Sequence, residues 1–169
     1  MARKENPNLD IPLSEQEIWL VRMIISAIVG SFLIIAINYM QIPESVPIHF
    51  NGAGKPDAWG PKAMLWILPV IMGLVIFLLL RVSRKPAKLN FPYEVPAEKA
   101  PHIYRKARLS LRLMGLVTAL MTLYISWKSI QIAFGETSGL GKWFLPVFLF
   151  AMGAAFIPML FPGRQDSSA

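Results

Sequence analysis

The chain has 169 residues, 54% hydrophobic and only 16% charged, with a net charge of +7 and no cysteine. A soluble domain carries about a quarter charged residues, so this composition, with a mean hydropathy of +0.48, disfavours a water-facing globule. Apolar content this high also excludes a disordered chain. The lack of cysteine excludes disulfides, thiolate metal sites, cysteine nucleophiles and S-acylation.

Four apolar stretches follow in chain order, Ile18 to Met40, Ala63 to Leu80, Leu109 to Phe134 and Trp143 to Phe161. Each is long enough to cross a hydrocarbon core of about 30 Å at about 1.5 Å per residue. They predict helices over residues 15–40, 61–81, 102–134 and 142–161, in an all-α four-transmembrane-helix bundle forming a single membrane domain, 1–169. The first helix opens on Ser14-Glu15-Gln16-Glu17, a capping box, with Leu13 and Ile18 spaced as a hydrophobic staple. No small-residue cleavage site follows it, so it reads as a span and not a cleavable signal. Gly60-Pro61 is a start signal for the second helix. Ser26-x-x-x-Gly30, Gly115-x-x-x-Ala119 and Gly153-Ala154-Ala155 are small-residue surfaces suited to close helix packing. Pro69, Pro146 and Pro158 lie within or near spans, where they kink helices without breaking them.

The charge then sets orientation. Arg3, Lys4 and Arg22 lie at the start, a basic loop over 81–108 and its continuation to Arg112 carry the largest cluster, and Arg164 lies in the tail. Of the 17 Lys and Arg, only Lys55, Lys62, Lys128 and Lys142 fall on the other side. The positive-inside rule therefore predicts a multi-pass cytoplasmic-membrane protein with both termini cytoplasmic. The high isoelectric point is explained by anionic lipid facing that loop, and no unit remains to present the charge to nucleic acid.

No Asp or Glu lies within the four apolar stretches, which argues against proton-coupled transport. Polar residues cluster instead at the ends opposite the basic loop: Asn38, Tyr39 and Gln41 on the first helix, Tyr124, Ser126, Ser129 and Gln131 on the third. Two readings fit, an interfacial belt with a few interhelical hydrogen bonds, or a pocket formed by Asn38, Gln41, Tyr124, Ser126 and Gln131.

The unusual segment is the loop over 41–62, of about 22 residues, where a plain connector needs about four to six. Val46 to Phe50 reads as extended, with Ile48 and Phe50 on one face and His49 on the other. Asn51-Gly52 and Lys55-Pro56-Asp57 are turn signals, and Trp59 suits the headgroup region. The loop is expected to fold back as a compact extracytoplasmic hairpin or Ω-like cap. His49 lacks the paired His or Cys spacing of a zinc motif. No nucleophile–base motif accompanies it, and Gly52-Ala-Gly54-Lys55 lacks the context of a phosphate loop. No catalytic, metal or cofactor site is assigned. A hydrogen bond from His49, for instance to Asp57, is expected to fasten the turn.

Ile42-Pro43, Val46-Pro47-Ile48-His49-Phe50-Asn51, Gly54-Lys55-Pro56-Asp57-Ala58-Trp59-Gly60 and Lys62 together resemble a bacterial membrane domain of unknown function. It has a His-Phe-Asn…Gly-x-Pro-Asp signature, as in the N-terminal part of SdpI-like immunity proteins. The resemblance implies protection from a secreted toxic peptide, coupled to sequestration of a cytoplasmic repressor. It marks Pro47, His49, Phe50, Asn51, Gly54, Pro56, Asp57 and Gly60 as signature positions, beside which Trp59 is a further motif residue. The best-known members carry a second, C-terminal domain with an Asn-Arg-x-x-Gly-Tyr-Arg-type motif, and that motif is not found in these residues.

The expected function is a binding, sensing or immunity-type module acting through its extracytoplasmic loop. Its expected partners are the bilayer, anionic lipid at the basic loop, and a hydrophobic peptide or another membrane protein. The alternatives are a metal-dependent membrane enzyme using His49 and Asp57, or an accessory transport subunit. The sequence leaves the oligomeric state open.

Overall fold

Ser14 starts the first helix through the reciprocal bonds that its spacing to Glu17 implies. The Glu17 amide donates to Ser14 Oγ at 3.3 Å, and the Ser14 amide donates to Glu17 Oε2 at 2.8 Å. From that cap α1 runs Glu15–Asn38 in a computed structural model that describes residues 6–91 and 93–160. Then come β1 (Ser45–Phe50), β2 (Pro56–Pro61), a 3-10 turn (Lys62–Trp66) and α2 (Ile67–Ser83). A short 3-10 turn (Pro86–Lys88), α3 (Ala100–Ala133) and α4 (Phe144–Leu160) complete the order. Arg3, Lys4, Phe161 and Arg164 lie outside the described residues.

The fold is mostly helical, but not all-α: β1 and β2 form an antiparallel two-stranded hairpin. Pro43, Pro47, Pro56 and Pro61 bar a helix there. Pro47, Pro56 and Pro61 are tolerated in the strands because a two-stranded ribbon has only edges. The helices flanking the basic loop each reach two residues further into it than expected. α2 continues to Ser83 and α3 begins at Ala100, with Pro101 in its first turn, so Arg105, Lys106 and Arg108 are helical. Arg22 lies inside α1, its guanidinium 4.8 Å over the Trp19 ring.

Three helices are long and apolar enough to cross a membrane: Glu15–Asn38, Lys62–Ser83 (the 3-10 turn running into α2) and Ala100–Ala133. The fourth, α4, is as apolar, but its 17 residues span about 26 Å. Large apolar side chains such as Trp19, Leu33, Leu74, Phe77, Phe150 and Ile157 face outward. A water-soluble protein does not expose so many together, and a lipid-facing surface does.

The central element is α3, on which α1, α2 and α4 each pack, while α1 and α2 touch each other little. The small residues explain the close approach. A Cβ on Gly115 would meet Ile24 Cδ1 at 3.4 Å, and one on Gly30 would meet Leu123 Cδ1 at 3.5 Å. Gly153, by contrast, faces open space. Three apolar layers result: Ile35, Ile42, Val46, Leu65 and Ile130 at the hairpin end, Ile24, Ala27, Ile76 and Ala119 in the middle, and Phe91, Ile103 and Tyr104 at the basic end.

The basic end also holds a buried ion cluster. Glu17 Oε1 accepts from Arg108 Nε at 2.5 Å and Glu17 Oε2 accepts from Arg108 Nη2 at 3.0 Å, while Arg112 Nη1 lies 3.4 Å from Oε1. Arg108 further donates to the Ile11 and Pro12 carbonyls, which fastens the segment before α1 onto α3. Glu17, treated as a cap by its sequence position, is therefore also the buried counter-ion of two arginines.

Candidate functional site

The hairpin is shaped by its own side chains. Asn51 Oδ1 accepts from the Ala53 amide at 3.0 Å and the Lys55 amide at 3.2 Å, and the Asn51 carbonyl accepts from the Gly54 amide at 2.8 Å. This closes the turn as an Asx-type device. Gly54 takes φ +73°, a conformation that favours glycine. At the hairpin base Lys62 Nζ pairs with Glu44 at 2.9 Å and lies 5.2 Å from the Tyr39 ring centre.

His49 Nδ1 lies 2.5 Å from Asp57 Oδ1, so the sequence expectation of a fastening bond matches the geometry. The pair joins the two strands one step from the turn, where His49 registers with Ala58 and Phe50 with Pro56. It is solvent-facing, with His49 68% and Asp57 41% exposed in their side chains. The simple alternation expected for Val46 to Phe50 does not hold. Register irregularities flank His49, and bulging of that kind re-aims side chains, so that Ile48, His49 and Phe50 all line one cleft.

That cleft, of about 500 Å³, lies under the hairpin between α2, α3 and α4. Pro47 to Asn51, Gly52 and Gly54 form its roof; Leu68, Ile71 and Met72 of α2 and Phe144 and Leu145 of α4 form its walls. Ile125, Ser126 and Ser129 of α3 form its floor. Two buried hydroxyls of the bundle return to the preceding turn, Ser31 Oγ donating to Ala27 O and Thr122 Oγ1 to Thr118 O, whereas Ser110 Oγ has no partner. The Ser126 hydroxyl is likewise sealed from solvent and has no hydrogen-bond partner. A buried hydroxyl without a partner costs about 1–3 kcal/mol.

The other residues expected in a pocket are dispersed. Asn38 Nδ2 donates back to Ile34 O at 2.7 Å, and Gln41 is exposed just beyond α1. Tyr124 donates to Leu140 O at 2.6 Å and stacks on Phe144 with ring centres 5.4 Å apart. Gln131 is half-buried, with Oε1 lacking a hydrogen-bond partner. Only Ser126 of the five lines the cleft. Among the motif residues, Pro47 and Gly54 are buried, Phe50 and Pro56 half-buried and Trp59 exposed. Gly60 lies beneath Ile48, whose Cδ1 would be 3.0 Å from a Cβ there.

One partner of the hairpin escaped the sequence reading. Its tip docks on the α3–α4 connection, where the Leu140 amide donates to Gly54 O at 2.8 Å. A Cβ on Gly139 would stand 2.5 Å from that same oxygen, so the approach requires glycine. Leu140 is buried and also lines the cleft. The signal available was the spacing of Gly135, Gly139 and Gly141 in a connection that otherwise reads as a plain loop. Among the described residues, no group of three or more His, Cys, Asp or Glu is placed to hold a metal ion.

Residues 27–73, from mid-α1 through the hairpin to the first turns of α2, match a family described as Domain of unknown function (DUF1648). An uncharacterized protein of the archaeon Archaeoglobus fulgidus is 32% identical over 89 residues, 48% of this chain and 49% of that one. The chain thus spans about half the length of the curated relative it matches. No solved structure matches it. The matched family segment coincides with the roof and one wall of the cleft, and leaves its α3 floor and α4 wall outside.

Proposed function

We propose that the protein is a membrane-embedded binding and sensing module whose hairpin-roofed cleft holds the apolar part of an amphipathic ligand. The observation that carries this reading is the cleft itself: about 500 Å³, within the usual size of ligand sites and apolar in its walls. Apolar chain segments fill the space between α2 and α4, and a polar group of the ligand meets His49 and Asn51 at the roof. In this reading Pro47, Phe50, Asn51, Gly54, Pro56, Asp57, Trp59 and Gly60 shape and hold the roof, and His49 is its exposed polar contact.

The same reading makes the chain a four-span bundle in the cytoplasmic membrane, with α4 completing the set, both termini cytoplasmic and the hairpin an extracytoplasmic cap. The basic residues of the α2–α3 connection and early α3 support that orientation. The resemblance of the hairpin to the SdpI-like signature supports an immunity-type role with a hydrophobic peptide as ligand. A metal-dependent enzyme would need donors beyond His49 and Asp57, and no observation favours it or an accessory transport role.

The test is photolabelling of the protein in lipid nanodiscs with a single-chain amphiphile carrying a mid-chain diazirine. Label is expected on residues 64–72 and 125–129, and Ser126→Phe, which fills the cleft, is expected to reduce it at least about tenfold. His49→Ala is expected to weaken labelling without loss of helix content. Label spread evenly over lipid-facing residues, unchanged by Ser126→Phe, would refute the site.

A further inference from the structure

We propose that a second cleft, between α1 and α2 at the basic end, is a binding site for one anionic phospholipid. An acyl chain occupies the slot and the lipid phosphate lies on Arg81 and Arg84. The site depends on the chain's spanning a bilayer, and not on ligand capture beneath the hairpin.

The slot encloses about 330 Å³ and is walled by Val21, Ile24 and Ile28 of α1 and by Gly73, Ile76 and Leu80 of α2, with Arg81 and Arg84 at its mouth. It exists because α1 and α2 each pack on α3 and scarcely on each other. At Gly73 the helices converge: a Cβ there would lie 3.8 Å from Ile28 Cγ2. From Gly73 to Arg84 the helix rises about 16 Å, and one leaflet of hydrocarbon is about 15 Å deep. The slot is therefore one acyl chain deep, with its two guanidiniums where that chain's phosphate would stand.

Charge selects the headgroup. Neither Arg81 nor Arg84 makes a side-chain hydrogen bond or ion pair among the described residues. Arg112 lies within electrostatic reach of Arg84, and the Glu17 carboxylate is shared between Arg108 and Arg112. Arg112 Nε and Nη1 have no hydrogen-bond partner although the residue is only 2% exposed. The end of the bundle thus carries a cationic excess that its own acids do not neutralise. An anionic lipid phosphate neutralises it, whereas a zwitterionic lipid would bring its own cation with the phosphate.

The test is native mass spectrometry of the full chain in detergent, titrated with phosphatidylglycerol or with phosphatidylcholine of the same acyl chains. Phosphatidylglycerol is expected to bind about 30-fold tighter, the ratio that about 2 kcal/mol from two basic side chains gives. Arg81→Gln/Arg84→Gln should bring the two lipids to within about threefold, while Arg81→Lys/Arg84→Lys and the far-end control Lys128→Gln/Lys142→Gln keep the preference. Gly73→Leu, which fills the slot, should abolish one-to-one retention. A preference unchanged in the Gln pair would overturn the site and assign lipid selection to the basic end at large. So would full retention in Gly73→Leu, or competition by chainless glycerol phosphate at the lipid's own concentration. A protein that stays in the membrane fraction yet shows no lipid preference refutes this site alone.

Discussion

Replacement of Glu17 and of Arg112 should have opposite consequences, although both are buried in one cluster. The cluster sets one carboxylate against two guanidiniums, with Glu17, Arg108 and Arg112 side chains 8%, 3% and 2% exposed. At the 3.4 Å between Arg112 Nη1 and Glu17 Oε1, the Coulomb attraction is about 5 kcal/mol at an effective dielectric of about 20. Glu17→Gln removes that attraction and leaves two cations facing each other, which should cost about 3–5 kcal/mol. Arg112→Leu removes the surplus cation, whose Nε and Nη1 make no hydrogen bonds, and leaves the Glu17–Arg108 pair balanced. It should be neutral or stabilising, within about 1 kcal/mol. The assay is reversible unfolding in mixed detergent micelles, followed by circular dichroism of both variants against wild type. Glu17→Gln within about 0.5 kcal/mol of wild type would refute the reasoning, as would an Arg112→Leu cost equal to that of Glu17→Gln, which would show the second arginine to be fully compensated inside the fold.

The hairpin end yields two further expectations. Gly139→Ala must push the tip off its dock, because its Cβ would stand 2.5 Å from Gly54 O. Faster amide exchange over residues 51–55 and a loss of about 1–3 kcal/mol should follow. Gly52→Ala, which meets nothing within 4 Å, should change neither by more than about 0.5 kcal/mol. Asn51→Ala removes the acceptor for two turn amides and should cost about 1–2 kcal/mol in the same unfolding assay, whereas Asn51→Asp, which keeps that acceptor, should restore most of it.

The helices were legible because each is written locally. The capping box at Ser14 and the apolar runs of α1 and α2 need no tertiary information, and both occur close to where they were expected. The hairpin was legible as an extended piece with a turn, since Asn51 and the prolines act on their own backbone. The side of the strand each residue would face was not, because the register irregularities around His49 come from pairing with β2. The residues of the expected pocket are dispersed for a similar reason. Polarity at helix ends predicts exposure to an interface, but rotation about the helix axis decides which polar residue faces a cleft. That rotation put Ser126 on the floor and turned Tyr124 toward Leu140 and Phe144. Glu17 was read as a cap because its long-range partners lie 91 and 95 positions away, a separation that no periodicity reveals.

The two ends of the molecule are held together by different physics, and this decides where change is tolerated. At the basic end the fastening is buried and ionic, so losing Glu17 strands two cations in a low dielectric. At the hairpin end the base of the hairpin is held by a buried apolar layer that includes Ile42 and Val46, and only the tip is held weakly: the His49–Asp57 pair is solvent-facing and worth about 0.2–1 kcal/mol, and a backbone bond across glycine joins the tip to the α3–α4 connection. Regions fastened this weakly open well below the global unfolding energy. Under the proposed function, local opening of the hairpin tip would admit a ligand to the cleft without loosening the bundle. Because the roof rests on the α3–α4 connection, occupation of the cleft would be felt first by α4, whose only buried side chain along its length is Ala155 among the described residues. Under the proposed function a bound ligand would therefore act first on α4, while the buried ion cluster at the other end holds the segment before α1 on α3.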